Sequence, residues 1–582
     1  MSQNIFSPKF RQKIVFRRTP DKHTIYCTAI VAQFFSQDID LIINMTPLLA
    51  HFYLPYPTIK LSSGNNYDIA FNNVSLLKSK SLMTLTEVCS VVPEAFLLLS
   101  ILFLILYGIF LGSHNSLNYP LTQNAVIYLS SLTLALTFAL IYLLQSSTSE
   151  LTTFNSTIAV DSLSLGTKKC LLLTCMLCLL VIKQDLTQQK INSFEYVILL
   201  LLSLFGAALM SSSNDLLTAY LAIEVQSLSF YLLASFKKNS AFSINAGLKY
   251  FILGALGSST FLFGASLIYG VTGTTNFEQF HNLYAHEYTH LTHSLETTPV
   301  LQFGLVLVLA SLFFKLAIAP FHIWSPDVYE GSVSSSTFFF SVIPKLGLFV
   351  LIVRLFHHSF EVFVDKFRYL LVFSAVLSIF TGSFGGLDQK RLKTLLAYSS
   401  IGHMGFALLA FSSGVAEGVQ VMYGYLLVYM LSGISLWAIF FSTKMKYATD
   451  KHSKELSDFS SLTKSNNVLA VFLVVVFLSL AGFPPFVGFY AKMSVFTAAV
   501  EASMYFVTIF AILCSVVSTY YYIRIIKISY FEQTTAGNLY LPLNRSLALI
   551  ITTGCFLIVW LFINPNTLYL FCHNVSLFGS TG

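Results

Sequence analysis

The chain is expected to fold as an all-α, polytopic membrane protein of about fourteen transmembrane helices, with two inverted five-helix repeats that each contain a broken helix. Three observations predict this. Hydrophobic residues make up 55% and charged residues 10%, against about 25% charged in a soluble domain. Mean hydropathy is +0.72, more apolar surface than a water-soluble fold can hide, so lipid must be the solvent. Finally, lysine and arginine concentrate in alternate loops. The net charge of +7 is not a nucleic-acid footprint, because the basic residues are scattered over short connections between apolar runs.

A spanning helix needs about 20 apolar residues. Fourteen runs qualify, near 92–112, 123–145, 160–182, 196–213, 214–236, 245–271, 300–320, 334–357, 368–386, 392–413, 418–443, 466–490, 491–527 and 545–563. The last long stretch is divided at Gly482, Pro484 and Pro485, where a helix cannot continue undisturbed. Loops that follow odd-numbered runs hold Lys183, Lys190, Lys237, Lys238, Lys390, Arg391, Lys444, Lys446, Lys451, Lys454, Lys464, Arg524, Lys527 and Arg545. The opposite loops hold little beyond Lys366 and Arg368. This asymmetry places the odd-to-even loops on the matrix or bacterial cytoplasmic side. Lys168 and Lys169 fit neither set, because they fall at the start of the third run.

Residues 1–90 read differently. Arg11, Lys13, Arg17, Arg18 and Lys22 precede or flank the first acid, Asp21, a pattern that resembles a mitochondrial presequence. The apolar stretch 25–54 carries Asp38 and Asp40, which suits a surface or partner-binding segment better than an extra crossing.

Two apolar segments are interrupted by proline in comparable surroundings: FFKLAIAPFHIW, with Lys315 and Pro320, and LAGFPPFVGFYAK, with Pro484, Pro485 and Lys492. Paired broken helices point to a transporter built from inverted repeats. The repeats would occupy 196–357 (crossings 4–8) and 358–527 (crossings 9–13). An extension at 1–90 and crossings 1–3 at 91–195 would precede them, and crossing 14 with a tail at 528–582 would follow.

Ionisable groups inside hydrocarbon are costly and usually functional. Glu224 and Lys345 lie near the middle of their runs, about 15 Å from an interface along the helix axis, too far for easy snorkelling. Lys315 and Lys492 lie nearer breaks, where snorkelling competes with function. Lys393 stands beside Lys390 and Arg391, so a loop-edge role is equally open to it. His322 after Pro320, and His403 in SSIGHMGF, can each be a proton carrier or a capping or packing residue.

Two motifs are decoys. Cys170, Cys175 and Cys178 match the start of a plant-type cluster spacing, but KKCLLLTCMLCLLVI is helical and spreads the thiols around the helix. His286-Glu287-Tyr288-Thr289-His290 matches H-E-x-x-H, with His281 and His293 nearby, yet the extension carrying a third histidine is absent. No dinucleotide, Walker or haem motif is present, and no cofactor or metal site is expected in this chain.

The runs AYLAIEVQSLSFYLLAS, AGLKYFILGALGSSTFLFGASLIYG, FKLAIAPFHIWSPDVYEGS, KRLKTLLAYSSIGHMGF and LAGFPPFVGFYAK closely resemble subunit 2 of mitochondrial NADH:ubiquinone oxidoreductase (complex I), the family of the bacterial antiporter-like N subunit, over about residues 92–565. The resemblance implies proton translocation coupled to quinone reduction, in a multi-pass protein of the mitochondrial inner membrane. The site residues it implies are Glu224, Lys315, Lys345 and Lys492, with His322, Lys393 and His403 as further candidates. It implies as partners the adjacent antiporter-like subunit, small quinone-end subunits and membrane lipids, without nucleic acid. NADH, FMN, iron–sulfur clusters and ubiquinone would be bound by other subunits. Residues 1–90 have no counterpart in the family pattern. An Mrp-type cation/proton antiporter subunit and a non-pumping membrane scaffold are the alternative readings.

Overall fold

The computed structural model describes residues 68–112, 122–144, 151–189, 191, 193–290, 299–414, 416–443, 455–532 and 544–576. The chain divides into two compact units, Met1–Ser79 and Lys80–Gly582. Of the first, only the helical residues 68–79 are described, so the basic residues of the extension and its apolar stretch 25–54 lie outside the described residues. Helix α1 begins at Asp68, so the boundary expected at residue 90 falls inside a helix.

The fourteen crossings are present. Crossings 1–6 are α1 (Asp68–Gly112), α2 (Thr122–Leu144), α3 (Ser162–Gln188), α4 (Glu195–Ser212), α5 (Leu216–Ala234) and α6 (Ala241–Thr272). The amphipathic α7 (Phe277–His290) follows. Crossing 7 is made of two pieces, α8 (Pro299–Leu316) and α9 (Trp324–Gly331). Crossings 8–11 are α10 (Ser334–Val353, prolonged by a wide turn over Arg354–Ser359), α11 (Val364–Gly385), α12 (Leu392–Phe411) and α13 (Ala416–Ser442). Crossing 12 is again two pieces, α14 (Asn467–Ala481) and α15 (Val487–Glu501). Crossings 13 and 14 are α16 (Tyr505–Phe531) and α17 (Arg545–Ile563), and α18 (Asn566–Ser576) follows. Thirteen of these helices are individually long and apolar enough to span a membrane; the broken crossing 12 supplies the fourteenth.

Two boundaries differ from the sequence reading. Crossing 7 does not end near 320, because the chain resumes as α9 beyond the break. The run expected at 491–527 is two helices. The chain turns at Ala502–Met504, with Ser503 at φ +62, so residues 487–501 complete crossing 12. Unbroken hydrophobicity concealed that turn. Four crossings lie between the two broken helices, so the broken helices run in opposite directions, as inversion requires.

Contacts between connections obey the same parity. Arg391 bridges to Glu455, and the Arg524 Nη1–H donates to the Leu387 carbonyl at 3.1 Å; these follow odd crossings or, for Arg524, lie near the end of one. Asp215 bridges to Asn276 and Ile158 to Ser213, and Arg368 donates to the Ala502 carbonyl at 2.7 Å; these follow even crossings or, for Arg368, lie at the start of the next crossing. On that even side, burial pushes the Glu278 carboxyl of α7 up, against the opposing effects of its Asn214 hydrogen bond and the Arg354 charge.

Crossings 8, 10 and 11 form the centre: crossing 8 is buried along its whole spanning window, whereas a third of crossings 1, 2, 6, 13 and 14 is buried. Two ion pairs not anticipated from sequence join the first three crossings to one another and to this centre. Lys168 of α3 pairs with Glu94 of α1, both buried, which resolves the ambiguity over Lys168. Arg354, 1% exposed, donates through Nη2 to both Asp161 carboxylate oxygens at 2.7 Å and through Nε to the Ser211 carbonyl at 2.9 Å. Asp161 also caps α3, accepting from the Ser164 N–H at 2.8 Å.

Candidate functional site

The break in crossing 7 leaves α8 ending at Leu316 with Lys315 in its last turn, where a cation complements the helix dipole. Its ammonium does not reach a carboxylate. Lys315 Nζ donates to the Tyr231 hydroxyl at 3.1 Å, and the Tyr231 ring centroid is 5.5 Å away. Glu224 sits two turns before Tyr231 on the same face of α5 and accepts through Oε2 from the Ser227 hydroxyl at 3.3 Å. Glu224 and Lys315 thus form no direct ion pair in this structure, and the ammonium meets the Tyr231 hydroxyl instead. Glu224 Oε1 has no hydrogen-bond partner among the described residues.

A cavity lies between the broken crossing 7 and crossings 5, 6 and 8. Lys315, Ser227, Gln226, Tyr250, Trp324 and Lys345 are among its lining residues. Lys345, 4% exposed, projects from the fully buried crossing 8, beside Pro344. Lys345 Nζ and Gln226 Nε2 lack hydrogen-bond partners among the described residues. A small space edged by such donors suits a bound water. The Trp324 indole N–H donates across the break to the Phe314 carbonyl at 3.0 Å, tying the two pieces of crossing 7 together.

From Lys345 the row continues into the second half of the chain. Its ammonium lies 5.2 Å from the Tyr429 ring centroid, and that ring lies 5.3 Å from the imidazole of His403. His403 pairs through Nδ1 with the Tyr425 hydroxyl at 2.7 Å and through Nε2 with the Tyr522 hydroxyl at 3.2 Å. Two further cavities each contain both His403 and Lys492.

Lys492 and Lys315 are not positional counterparts: Lys315 precedes its proline and Lys492 follows the pair. Both nevertheless converge on breaks. Lys492 lies on α15 but reaches back to donate to the Ala481 carbonyl at 2.7 Å, the C-terminal end of α14. Gly482 makes this possible. It stands at φ +86, where α14 ends, and a Cβ there would lie 2.7 Å from Lys492 Cδ. Gly482→Ala should lower the thermal midpoint of the purified protein, since a left-handed non-glycine residue costs about 1–2 kcal/mol before any displacement of Lys492. An unchanged midpoint would show that Lys492 and the turn relax freely.

Of the seven candidates, the structure gathers Glu224, Lys315, Lys345, His403 and Lys492 into one interior row. It leaves two apart. Lys393 is inside the start of α12 and donates to the Ser332 carbonyl at 2.9 Å, fastening the end of α9. His322 lies in the break, half-buried, flanked by the exposed Phe321 and Ile323. Tyr231, Tyr429, Tyr425 and Tyr522 were missed, because tyrosine in an apolar run reads as packing. Only Tyr231 carried a signal, its seven-residue offset from Glu224 placing both on one helix face. The three cysteines of the decoy spacing are free on α3, with Cys175 and Cys178 buried. Side chains 286–290, and all of residue 293, lie outside the described residues. Among the described residues, no group of three or more His, Cys, Asp or Glu side chains could hold a metal.

The family described as NADH:quinone oxidoreductase/Mrp antiporter, TM matches residues 213–518. The chain is 34% identical over 485 residues to NADH-ubiquinone oxidoreductase chain 2 of Marchantia polymorpha, covering 83% of this chain and 97% of that one. It is 35% identical over 473 residues to NADH-quinone oxidoreductase subunit N of Paramagnetospirillum magneticum, covering 81% and 94%. A chain in respiratory complex I from Thermus thermophilus superposes with a TM-score of 0.67 at 28% identity, over 82% of this chain and 98% of that one.

Proposed function

The chain belongs to the NADH-quinone oxidoreductase chain 2/subunit N branch of the NADH:quinone oxidoreductase/Mrp antiporter membrane family, and from that footing we propose that its interior row of side chains is a proton path. It is an antiporter-like, multi-pass membrane subunit of a proton-translocating NADH:quinone oxidoreductase. The observation that carries the path is the row itself: Lys315 and Lys345 share one cavity, Tyr429 lies against both Lys345 and His403, and His403 and Lys492 share the next cavities.

Protons enter from the Lys/Arg-rich side to Lys315. Lys345 passes them between the two halves, and Lys492 releases them towards the opposite side. Lysine suits this work, since an ammonium can give up a proton where guanidinium cannot. At each break a side chain takes up a freed carbonyl, Trp324 that of Phe314 and Lys492 that of Ala481, as irregular backbone needs at membrane depth. NADH, FMN, iron–sulfur clusters and quinone belong, in this proposal, to companion subunits, among them another antiporter-like chain and small quinone-end subunits. The mitochondrial inner membrane is the compartment we assign, supported by the likeness to the Marchantia chain.

Glu224→Gln tests the reading in the assembled, reconstituted complex. Quinone-linked proton pumping should fall by about tenfold or more, as for loss of a group that assists proton transfer, while NADH oxidation by a soluble artificial acceptor is retained. Normal pumping in an assembled mutant would overturn the path. Purification of the chain without NADH-oxidising partners would instead favour the Mrp-type antiporter.

A further inference from the structure

The surface pairs that hold α9, Lys249 with Asp327 at 2.5 Å and Arg391 with Glu330, are largely exposed and contribute little. A deeper arrangement lies between Glu224 and Lys315.

We propose that Tyr231 is the third member of that couple, a phenol held in a glycine notch that links the acid and the lysine by a hydrogen-bonded chain. This rests on the proton-path reading and deepens it. Lys315 Nζ donates to the Tyr231 hydroxyl. Ser227 stands one turn before Tyr231 on the same face of α5, and the Ser227 hydroxyl donates to Glu224 Oε2 at 3.3 Å. Glu224, Ser227 and Tyr231 occupy positions i, i+3 and i+7 of one helix, so they form a single stripe.

The notch is built by crossing 6. A Cβ at Gly254 would lie 2.0 Å from the Tyr231 oxygen and 2.6 Å from Cζ, so no larger residue leaves the phenol where it is. Tyr250 and Phe251, flanking residues of the same α6, meet the Tyr231 ring edge-on at 4.9 and 5.6 Å. The hydroxyl is thereby aimed at Lys315.

The chain has a direction. Lys315 can pass an N–H proton to the Tyr231 oxygen as Tyr231 passes its own to Ser227 and Ser227 passes its own to Glu224. The ammonium and carboxylate become amine and carboxylic acid, and no proton is gained or lost. The couple is thus neutralised without the two charged side chains ever touching.

Two variants test this in the assembled, reconstituted complex, with Glu224→Gln alongside. Tyr231→Phe keeps the ring and removes the hydroxyl; Gly254→Ala keeps the hydroxyl and displaces it. Each should lower protons pumped per NADH oxidised and change the pH profile of pumping, on the order of tenfold at the optimum, as for loss of one hydrogen bond to a charged group. Acceptor-linked NADH oxidation should not change. If both variants pump with the wild-type yield and pH profile while Glu224→Gln does not, Tyr231 is packing and the inference falls. If acceptor-linked activity falls in proportion to pumping, the residues serve assembly, which also overturns it. Should Glu224→Gln pump normally, the proton path itself is wrong.

Discussion

Lys345→Arg stops coupled pumping although it preserves the positive charge. The expected loss is roughly 10²-fold, the lower end for removing a positioned proton-transfer group. Arginine has the cation but holds its proton throughout the accessible pH range. Lys345→His keeps a group that titrates near neutrality and should retain a measurable part of the activity. The comparison discriminates because crossing 8 is buried along its whole spanning window. Neither variant can move its charge to an interface, and each must act where Lys345 acts, between the cavity shared with Lys315 and the ring of Tyr429. Proton flux into vesicles carrying the assembled complex is the measurement. Arginine performing as well as lysine would make Lys345 a fixed counter-charge that binds the halves together.

Removing Arg354 should produce the largest loss of stability. Arg354→Met leaves the Asp161 carboxylate buried without its cation and the Ser211 carbonyl without its donor. Breaking a buried pair from one side costs about 3–5 kcal/mol. Arg354→Lys should recover little, because a point charge cannot reproduce the fork that binds the carboxylate and the carbonyl together. The double variant Arg354→Met with Asp161→Asn should be more stable than either charge-stranding single variant, since no buried charge then remains. The yield of assembled complex and its thermal midpoint report the order. A single variant as stable as the parent would show that water reaches Asp161.

What the sequence disclosed follows from the periodicity of its solvent. Spans are set by bilayer thickness, and loop charges by topology, so the fourteen crossings and the alternation of their connections were legible. The breaks were visible as prolines, but their far pieces were not: α9 is too short to register as hydropathy, and the turn before Tyr505 interrupts no apolar run. Individual deep charges were legible too, since Glu224 and Lys345 have nowhere to snorkel. Their partners were not. Lys315 meets a phenol rather than a carboxylate, and His403 reaches Lys345 through Tyr429 and Lys492 across shared cavities. Arg354 and Asp161, at opposite ends of the first repeat and the preceding segment, resemble ordinary interface anchors until the fold brings them together.

The Glu94–Lys168 pair constrains how this protein enters a bilayer. A charged residue within a segment delivered alone to lipid can cost about 2.5–3.5 kcal/mol on insertion scales. Glu94 of crossing 1 leaves the ribosome well before Lys168 of crossing 3. Until that lysine arrives, the first segment carries an acid with no mate. The early crossings should therefore be held beside the translocation machinery and released together, as one cooperative unit of three rather than one helix at a time.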